Sequence, residues 1–334
     1  MEKIVVFRPG ALGDTLLALP ALAALRRAFA GCWLCAIGNA PALALAREAG
    51  LIDEALPFDD LRWADLFSAA GMRSAEARQT LAGARLAVLW LRDSDGLAAR
   101  NLRALGIPQV VSAPGRPPEG ARIHAADYLL GTLAPLLGDE PASMPAAMPL
   151  LEPSAAARAW AEEEWTRRGL GNAPVLLLHP GSGGRAKCWP PERFAELAGR
   201  FMANGWRALV IEGPADASAA AALLASLAAP RAELLAGLTL PQLAALLAHS
   251  QRGGPAALYV GNDSGVSHLS ALLGVPTLAL FGPTAPAIWA PRGPRARVVL
   301  AGAAASAGLA LAPMTALSVN AVYDAAVDAL RSGW

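Results

Sequence analysis

The amino-acid sequence predicts an α/β fold made of two open, parallel-sheet domains in tandem. Three observations carry that prediction. Short apolar runs alternate with helical patterns of ten residues or so through both halves of the chain, as βαβ units require. The alternation is interrupted by the stretch GDEPASMPAAMPLLEPS from Gly138, where proline recurs at the density of an extended connector. A chain of 334 residues with 54% apolar content also has material for two separate cores. The boundary is set inside that connector, giving domains 1–150 and 151–334.

Taken in order, KIVVFRP reads as the first strand, DTLLALPALAALRRAFA as a helix, CWLCAIG as a strand and PALALAREAG as a helix. LAVLWL, DGLAARNLRALG, QVVSAP and HAADYLLGTLAPLLG continue the pattern to the connector. After it come the charged helix AAARAWAEEEWTRRG and a second alternation: VLLLHPG, PERFAELAGRFMANG, RALVIEG, ASAAAALLASLAA, ELLAG, TLPQLAALLAHS and ALYVGN. Thr239 opens one of these helices with a hydroxyl at the N-cap and Gln242 three residues on, a capping box. A further helix runs from Gly265 to about Leu273, with Ser264 at its N-cap and Gly274 ending it before Pro276 and the strand LALFG. The result is two Rossmann-like domains, whose ligands belong at the carboxyl edges of the strands; a cleft between the domains is the expected meeting place for two substrates.

Bulk properties remove several functions. A net charge of +1, with 28 basic and 27 acidic side chains and no basic block, gives no electrostatic footprint for nucleic acid. The start, MEKIVVFRPG, is too short in apolar residues for a signal peptide, so the expected location is cytoplasmic. An uncharged stretch of bilayer-spanning length begins at Val298, but its Ala and Gly content and Pro313 favour a buried strand plus loop. Cys32 and Cys35 have the CxxC spacing of redox sites, yet CWLCAIG reads as a strand rather than the start of a helix. Asp93-Ser94-Asp95 has the DxD form of some metal-binding sugar transferases; the competing reading is a polar turn after LAVLWL. No His/Cys spacing suits zinc, and no metal is expected.

Three loops carry the candidate chemistry. In YVGNDSGVSHL, Asp263, Ser264 and Gly265 form a strand-to-helix turn. Free amides and the helix dipole make an anion site there, although plain helix capping accounts for the same residues. Gly282-Pro283-Thr284, after the next strand, lies at the same edge and adds a hydroxyl. In HPGSGGRAKCWPPERF, Ser182, Gly183 and their glycine neighbours resemble a phosphate cradle without P-loop spacing, and Pro190 and Pro191 start the next helix. Of the chain's basic side chains only Lys3 and Lys187 are lysines, so a lysine kept in this loop suggests a need for a compact ammonium. In FRPGALGDTLLALP, Gly10 and Gly13 form a tight turn and Asp14 precedes the helix, where it either caps it or takes a proton from an acceptor hydroxyl.

In combination these segments resemble glycosyltransferase family 9, best known for ADP-heptose:lipopolysaccharide heptosyltransferases. The similar segments are Arg8 to Pro20, His179 to Pro190 with its Lys-x-Trp-Pro, Asp263 to Thr284, and the helix HAADYLLGTL. The resemblance implies a GT-B fold with sheets facing a central cleft and an inverting mechanism without a cofactor. It also implies a nucleotide-sugar donor held by the second domain and an acceptor held by the first. Carried over by position, Asp14 would be the general base, Lys187 would touch the donor phosphate or sugar, and Asp263 the sugar hydroxyls. Ser264, Gly265 and His268 would address the diphosphate, and Asp216, in the turn Glu212 to Asp216, the ribose.

The function implied is transfer of a heptose or related sugar from an ADP-sugar to a lipopolysaccharide-core or other surface-glycan hydroxyl. A lipid-linked or oligosaccharide acceptor would bring peripheral contact with the cytoplasmic face of the inner membrane. Two alternatives keep the fold and change the activity: a nucleotide-sugar epimerase, and a non-catalytic nucleotide-sugar binding protein.

Overall fold

The structure, a computed structural model, describes residues 2–137, 148, 151–227, 232–251, 256–302 and 311–332. The chain divides into two compact units, Met1–Pro149 and Leu150–Trp334. Most of the proline-rich connector lies outside the described residues.

The first unit is a five-stranded parallel sheet: β1 (Lys3–Arg8), β2 (Trp33–Gly38), β3 (Glu54–Pro57), β4 (Ala84–Trp90) and β5 (Gln109–Ala113), in the order β3-β2-β1-β4-β5. The chain moves outward from β1 to β3 and returns on the other side of β1, so the order reverses between β1 and β4. Ile4, Val5, Val6 and Phe7 are fully buried because helices cover both faces of the central strand, which is why it reads as an uninterrupted apolar run. β3 is absent from the sequence reading: EALP is only four residues long and half-buried, and it is recruited by pairing with Cys35 to Gly38 of β2.

The helical pattern after β1 resolves into two helices, Leu12–Leu16 and Leu19–Ala28, rather than one. Pro20 has no N–H to donate back to Leu16, so the ladder breaks and restarts with proline in the first turn. Asp14 is accordingly not ahead of the helix but three residues inside it, where its carboxylate accepts from the N–H of Ala11 at the N-cap.

The second unit is a six-stranded parallel sheet: β6 (Val175–His179), β7 (Arg207–Ile211), β8 (Ala232–Leu235), β9 (Ala257–Asn262), β10 (Thr277–Phe281) and β11 (Ala296–Leu300), ordered β11-β10-β9-β6-β7-β8. Here the reversal falls between β6 and β9. Helix Pro191–Ala203 shows why the unit folds: Phe194, Leu197, Ala198, Phe201 and Met202 recur at helical spacing and are all buried. Each large side chain so placed contributes about 2 kcal/mol. Trp189, wholly buried, meets Phe194 edge to face at 4.9 Å.

The uncharged stretch from Val298 begins as the edge strand β11, and residues 303–310 of it lie outside the described residues. Among the described residues no helix is long and apolar enough to cross a membrane.

Cys35 sits inside β2, fully buried, while Cys32 precedes the strand; both thiols are free. Burial, reinforced by Glu54, pushes the Cys35 thiol up to about 12. The folded state therefore keeps it protonated while the unfolded chain ionises near 9, so this thiol's contribution to stability is lost as pH rises between about 9 and about 12. In denaturant titrations Cys35→Ala is expected to flatten the alkaline decline; an unchanged slope would show that the thiol does not titrate there.

Candidate active site

In both units the strand order reverses beside the central strand, and the loops that leave the carboxyl ends at that point are where a parallel sheet receives ligands.

In the second unit those loops follow β6, β7, β9 and β10. Asn262 closes β9 with 0% exposure and ties the loop after β6 to the sheet. Its Oδ1 accepts from the Trp189 N–H at 2.9 Å, and its Nδ2 donates to the carbonyls of Pro180 at 2.8 Å and Gly181 at 3.3 Å. The Trp189 indole donates to the Leu317 carbonyl, anchoring the far end of the loop. Within that frame the Ser182 hydroxyl donates to the backbone carbonyl of Asp263 at 2.6 Å. Lys187 Nζ lies 3.0 Å from Asp263 Oδ2, and the Thr284 hydroxyl donates to the same oxygen at 2.8 Å. Lysine, carboxylate and hydroxyl from three separate loops thus meet at one oxygen, with Asp263 6% exposed and the Lys187 side chain 35% exposed.

Ser264 occupies the N-cap of helix Gly265–Leu272, but its hydroxyl does not cap it. It lies 3.2 Å from His179 Nδ1, and the Gly265 and Val266 N–H groups have no protein acceptor among the described residues. Two amides at the positive end of a helix are a site for anionic oxygen. His268 is buried in the first turn of this helix, and its N–H donates to the Ser264 carbonyl.

Asp216 ends the loop after β7 and opens helix Ala217–Ser226 without capping it. Its Oδ2 lies 3.0 Å from His179 Nε2. The carboxylate is packed so closely under Gly181 that a Cβ there would stand 1.9 Å from the Asp216 carboxyl carbon. Gly183 has open space around it, whereas a Cβ on Gly282 would meet Met314 Sδ at 2.7 Å; Pro283 follows it toward Thr284.

In the first unit, a cavity of about 690 Å³ opens at the β1/β4 reversal, lined by Arg8, Gly10, Asp14, Trp90, Arg92 and Arg116 among others. Its size is that of a small-molecule site. Arg8 is 5% exposed and donates to Asp14 Oδ1 at 3.2 Å and to the Pro9 carbonyl at 3.0 Å. Its Nε is buried without a hydrogen-bond partner. Burial pulls the guanidinium below its usual value, with Asp14 acting in the opposite direction. Gly10 has φ +138°, a conformation that suits glycine, and this turn brings the Asp14 carboxylate against the loop. Gly13 lies inside the short helix beside Asp14.

The DxD carboxylates are spent on the backbone. Asp93 accepts from the N–H groups of Ala98 and Ala99, and Asp95 accepts from Leu97, so both serve the start of helix Leu97–Ala104.

The site residues named from the sequence fall into two groups. Ser182, Lys187, Asp263 and Thr284 are joined by hydrogen bonds and an ion pair, Ser264 is joined to Asp216 through His179, and Gly183, Gly265, His268, Gly282 and Pro283 lie in the same loops or in the helix that one of them opens. Gly10, Gly13 and Asp14 form the second group, in the other unit. Sequence reasoning passed over Arg8, His179 and Asn262 as members of the site. The available signal is common to all three: a polar side chain that closes a strand after an apolar run.

A model described as glycosyltransferase family 9 (heptosyltransferase) matches residues 140–310. Lipopolysaccharide heptosyltransferase 1 of Pseudomonas aeruginosa is 39% identical over 114 residues, 34% of this chain and 30% of that protein. Lipopolysaccharide heptosyltransferase 3 of Escherichia coli is 30% identical over 132 residues, 37% of each chain. The matched stretches span about a third of the length of these relatives. Among solved structures, E. coli ADP-heptose lipopolysaccharide heptosyltransferase II superposes with a TM-score of 0.77 at 20% identity, covering 99% of both chains. The family 9 glycosyltransferase of Veillonella parvula gives 0.78 at 20% identity, over 99% and 98%. At those identities the likeness is one of fold, and the two parallel-sheet α/β units are those of GT-B proteins. With the family's pattern matched across residues 140–310, just over half of the chain, and both of its sheets present, the chain belongs to glycosyltransferase family 9.

Proposed function

We propose that this chain is an inverting, metal-independent glycosyltransferase. It moves a heptose, or a related sugar, from an ADP-sugar to a hydroxyl of a lipopolysaccharide core or another surface glycan. The observation that carries this reading is the convergence at one sheet edge of Lys187, Asp263 and Thr284 beside two unused helix-start amides. That set suits a sugar diphosphate, with hydroxyl-binding groups next to anion-binding ones. The identity of the sugar and acceptor follows the relatives' names, lipopolysaccharide heptosyltransferases.

In the reaction, the acceptor oxygen attacks the anomeric carbon as the bond to the diphosphate oxygen breaks on the opposite face, inverting the configuration. The acceptor proton passes to Asp14, which is ion-paired to a buried arginine and lines the cavity of the first unit. Negative charge grows on the departing ADP. Lys187 and the amides of Gly265 and Val266 stabilise it, with Ser264 and His268 completing the helix start. Asp263 and Thr284 receive the sugar hydroxyls, Ser182 and Gly183 shape the cradle, Gly282 and Pro283 carry Thr284, and Asp216 serves the ribose. Gly10 and Gly13 form the acceptor-side loop. The work is done in the cytoplasm, with peripheral contact at the inner membrane where the acceptor is lipid-linked.

Calorimetric titration with ADP, UDP and GDP, each with and without EDTA, tests the donor assignment. Selective, EDTA-insensitive ADP binding is expected. Preference for UDP or GDP, or loss of binding in EDTA, would overturn it. Product analysis with donor alone separates an epimerase, which turns over without acceptor, and a protein that binds donor but never turns over with any acceptor extract is a binding module.

A further inference from the structure

His179 is the last residue of β6 and is 3% exposed. Its ring joins loops from two other strands: Nε2 lies 3.0 Å from Asp216 Oδ2, after β7, and Nδ1 lies 3.2 Å from the Ser264 hydroxyl, after β9. A carboxylate only accepts, so Nε2 carries the hydrogen and Nδ1 of the neutral ring accepts from Ser264. Each end of this bridge leaves something available. At the Asp216 end, Oδ2 is occupied and Oδ1 has no partner among the described residues, on a side chain that is 13% exposed. At the Ser264 end, the hydroxyl is placed between His179 Nδ1 and the Ser267 hydroxyl, 3.4 Å away, instead of capping the Val266 N–H, and the Gly265 and Val266 N–H groups have no protein acceptor among the described residues. The packing is built for this arrangement: a side chain on Gly181 would collide with the Asp216 carboxyl, and one on Gly213 would lie 2.6 Å from Asp216 Oδ2.

We propose that His179 is a positioning residue for the donor, presetting through one imidazole a carboxylate oxygen for the nucleoside hydroxyls and open amides for the diphosphate. The inference rests on the donor reading above and deepens it. A carboxylate near a diphosphate is repelled by it, and the imidazole N–H holds that carboxylate in place. Both halves of a nucleoside diphosphate are thereby recognised by one prearranged unit, which lowers the ordering cost of binding.

The test compares wild type with His179→Leu, Asp216→Ala and Ser264→Ala, using ADP, adenosine and inorganic diphosphate as calorimetric probes. His179→Gln, which keeps an N–H donor, serves as the conservative variant, and thermal melts check that each protein folds cooperatively. Asp216→Ala is expected to weaken adenosine binding alone and His179→Leu to weaken both adenosine and diphosphate binding, with ADP affinity down at least tenfold; Ser264→Ala added to His179→Leu is expected to recover diphosphate affinity, because no hydroxyl is left to close over the amides. His179→Gln recovers part of the adenosine affinity. In the His179→Leu background, Asp216→Ala changes ADP affinity by less than twofold, because the carboxylate is already misplaced. A folded His179→Leu protein with wild-type affinity for all three probes would overturn the proposal, as would effects of His179 and Asp216 that multiply independently. If wild type binds no nucleoside diphosphate, the donor reading itself falls and this inference with it.

Discussion

Replacing Asp14 by Ala or Asn is expected to cut sugar transfer by about 10²–10⁴-fold while ADP affinity stays within a few-fold of wild type. Asp14 is in the first unit, and the groups assigned to the donor are all in the second, so removing the base leaves the donor groups in place. The substitution also has a structural cost. Arg8 is 5% exposed and Asp14 is its ion-pair partner, so the guanidinium loses its counter-charge in a buried setting. The Asp14 side chain is 30% exposed, which brings the expected loss to about 1–3 kcal/mol, below that for breaking a fully buried pair. Transfer rates, ADP calorimetry and denaturant titration on the same preparations separate the two effects. Transfer retained in a folded Asp14→Asn protein would remove Asp14 as the base.

The second large effect is structural in origin and functional in consequence. Asn262→Ala removes two donor bonds and one acceptor bond at a position with no solvent exposure. It leaves the Trp189 N–H and the Pro180 and Gly181 carbonyls unpaired; at about 1–3 kcal/mol for each buried orphan, partly relieved by relaxation, the expected loss of stability is about 3 kcal/mol. The same bonds fasten the loop that carries Ser182 and Lys187, so donor affinity falls at least tenfold even where the protein remains folded. Asn262→Asp does not rescue it, because a carboxylate has no N–H for the two carbonyls. An Asn262→Ala protein within 1 kcal/mol of wild type that binds ADP normally would show that the loop is held by other means.

Central strands such as KIVVF and ALYV announce themselves because burial on both faces leaves no room for polar residues in their interior. The capping box at Thr239 was legible because it is made within four residues, and the structure has both of its bonds. β3 was not legible, because EALP becomes a strand only by pairing with β2. The sequence after β1 reads as one helix because its apolar periodicity continues through the break at Pro20.

The sequence by itself determined which segments are strands and helices in most of both units, and which glycine- and proline-rich loops stand at the strand ends. Those properties follow from side-chain periodicity and local backbone preference, which act over a few residues. Only the tertiary structure decided what the polar side chains in those loops do. Lys187 meets Asp263, Asn262 clamps the Trp189 loop, and His179 joins Asp216 to Ser264 across 37 and 85 residues of chain. Such pairings depend on which strands the sheet order brings side by side, and β6 is adjacent to both β7 and β9 only because the order reverses beside it. A side chain's hydrogen-bond partner is set by that adjacency and by the space that Gly181 and Gly213 leave open, neither of which is written in the local sequence.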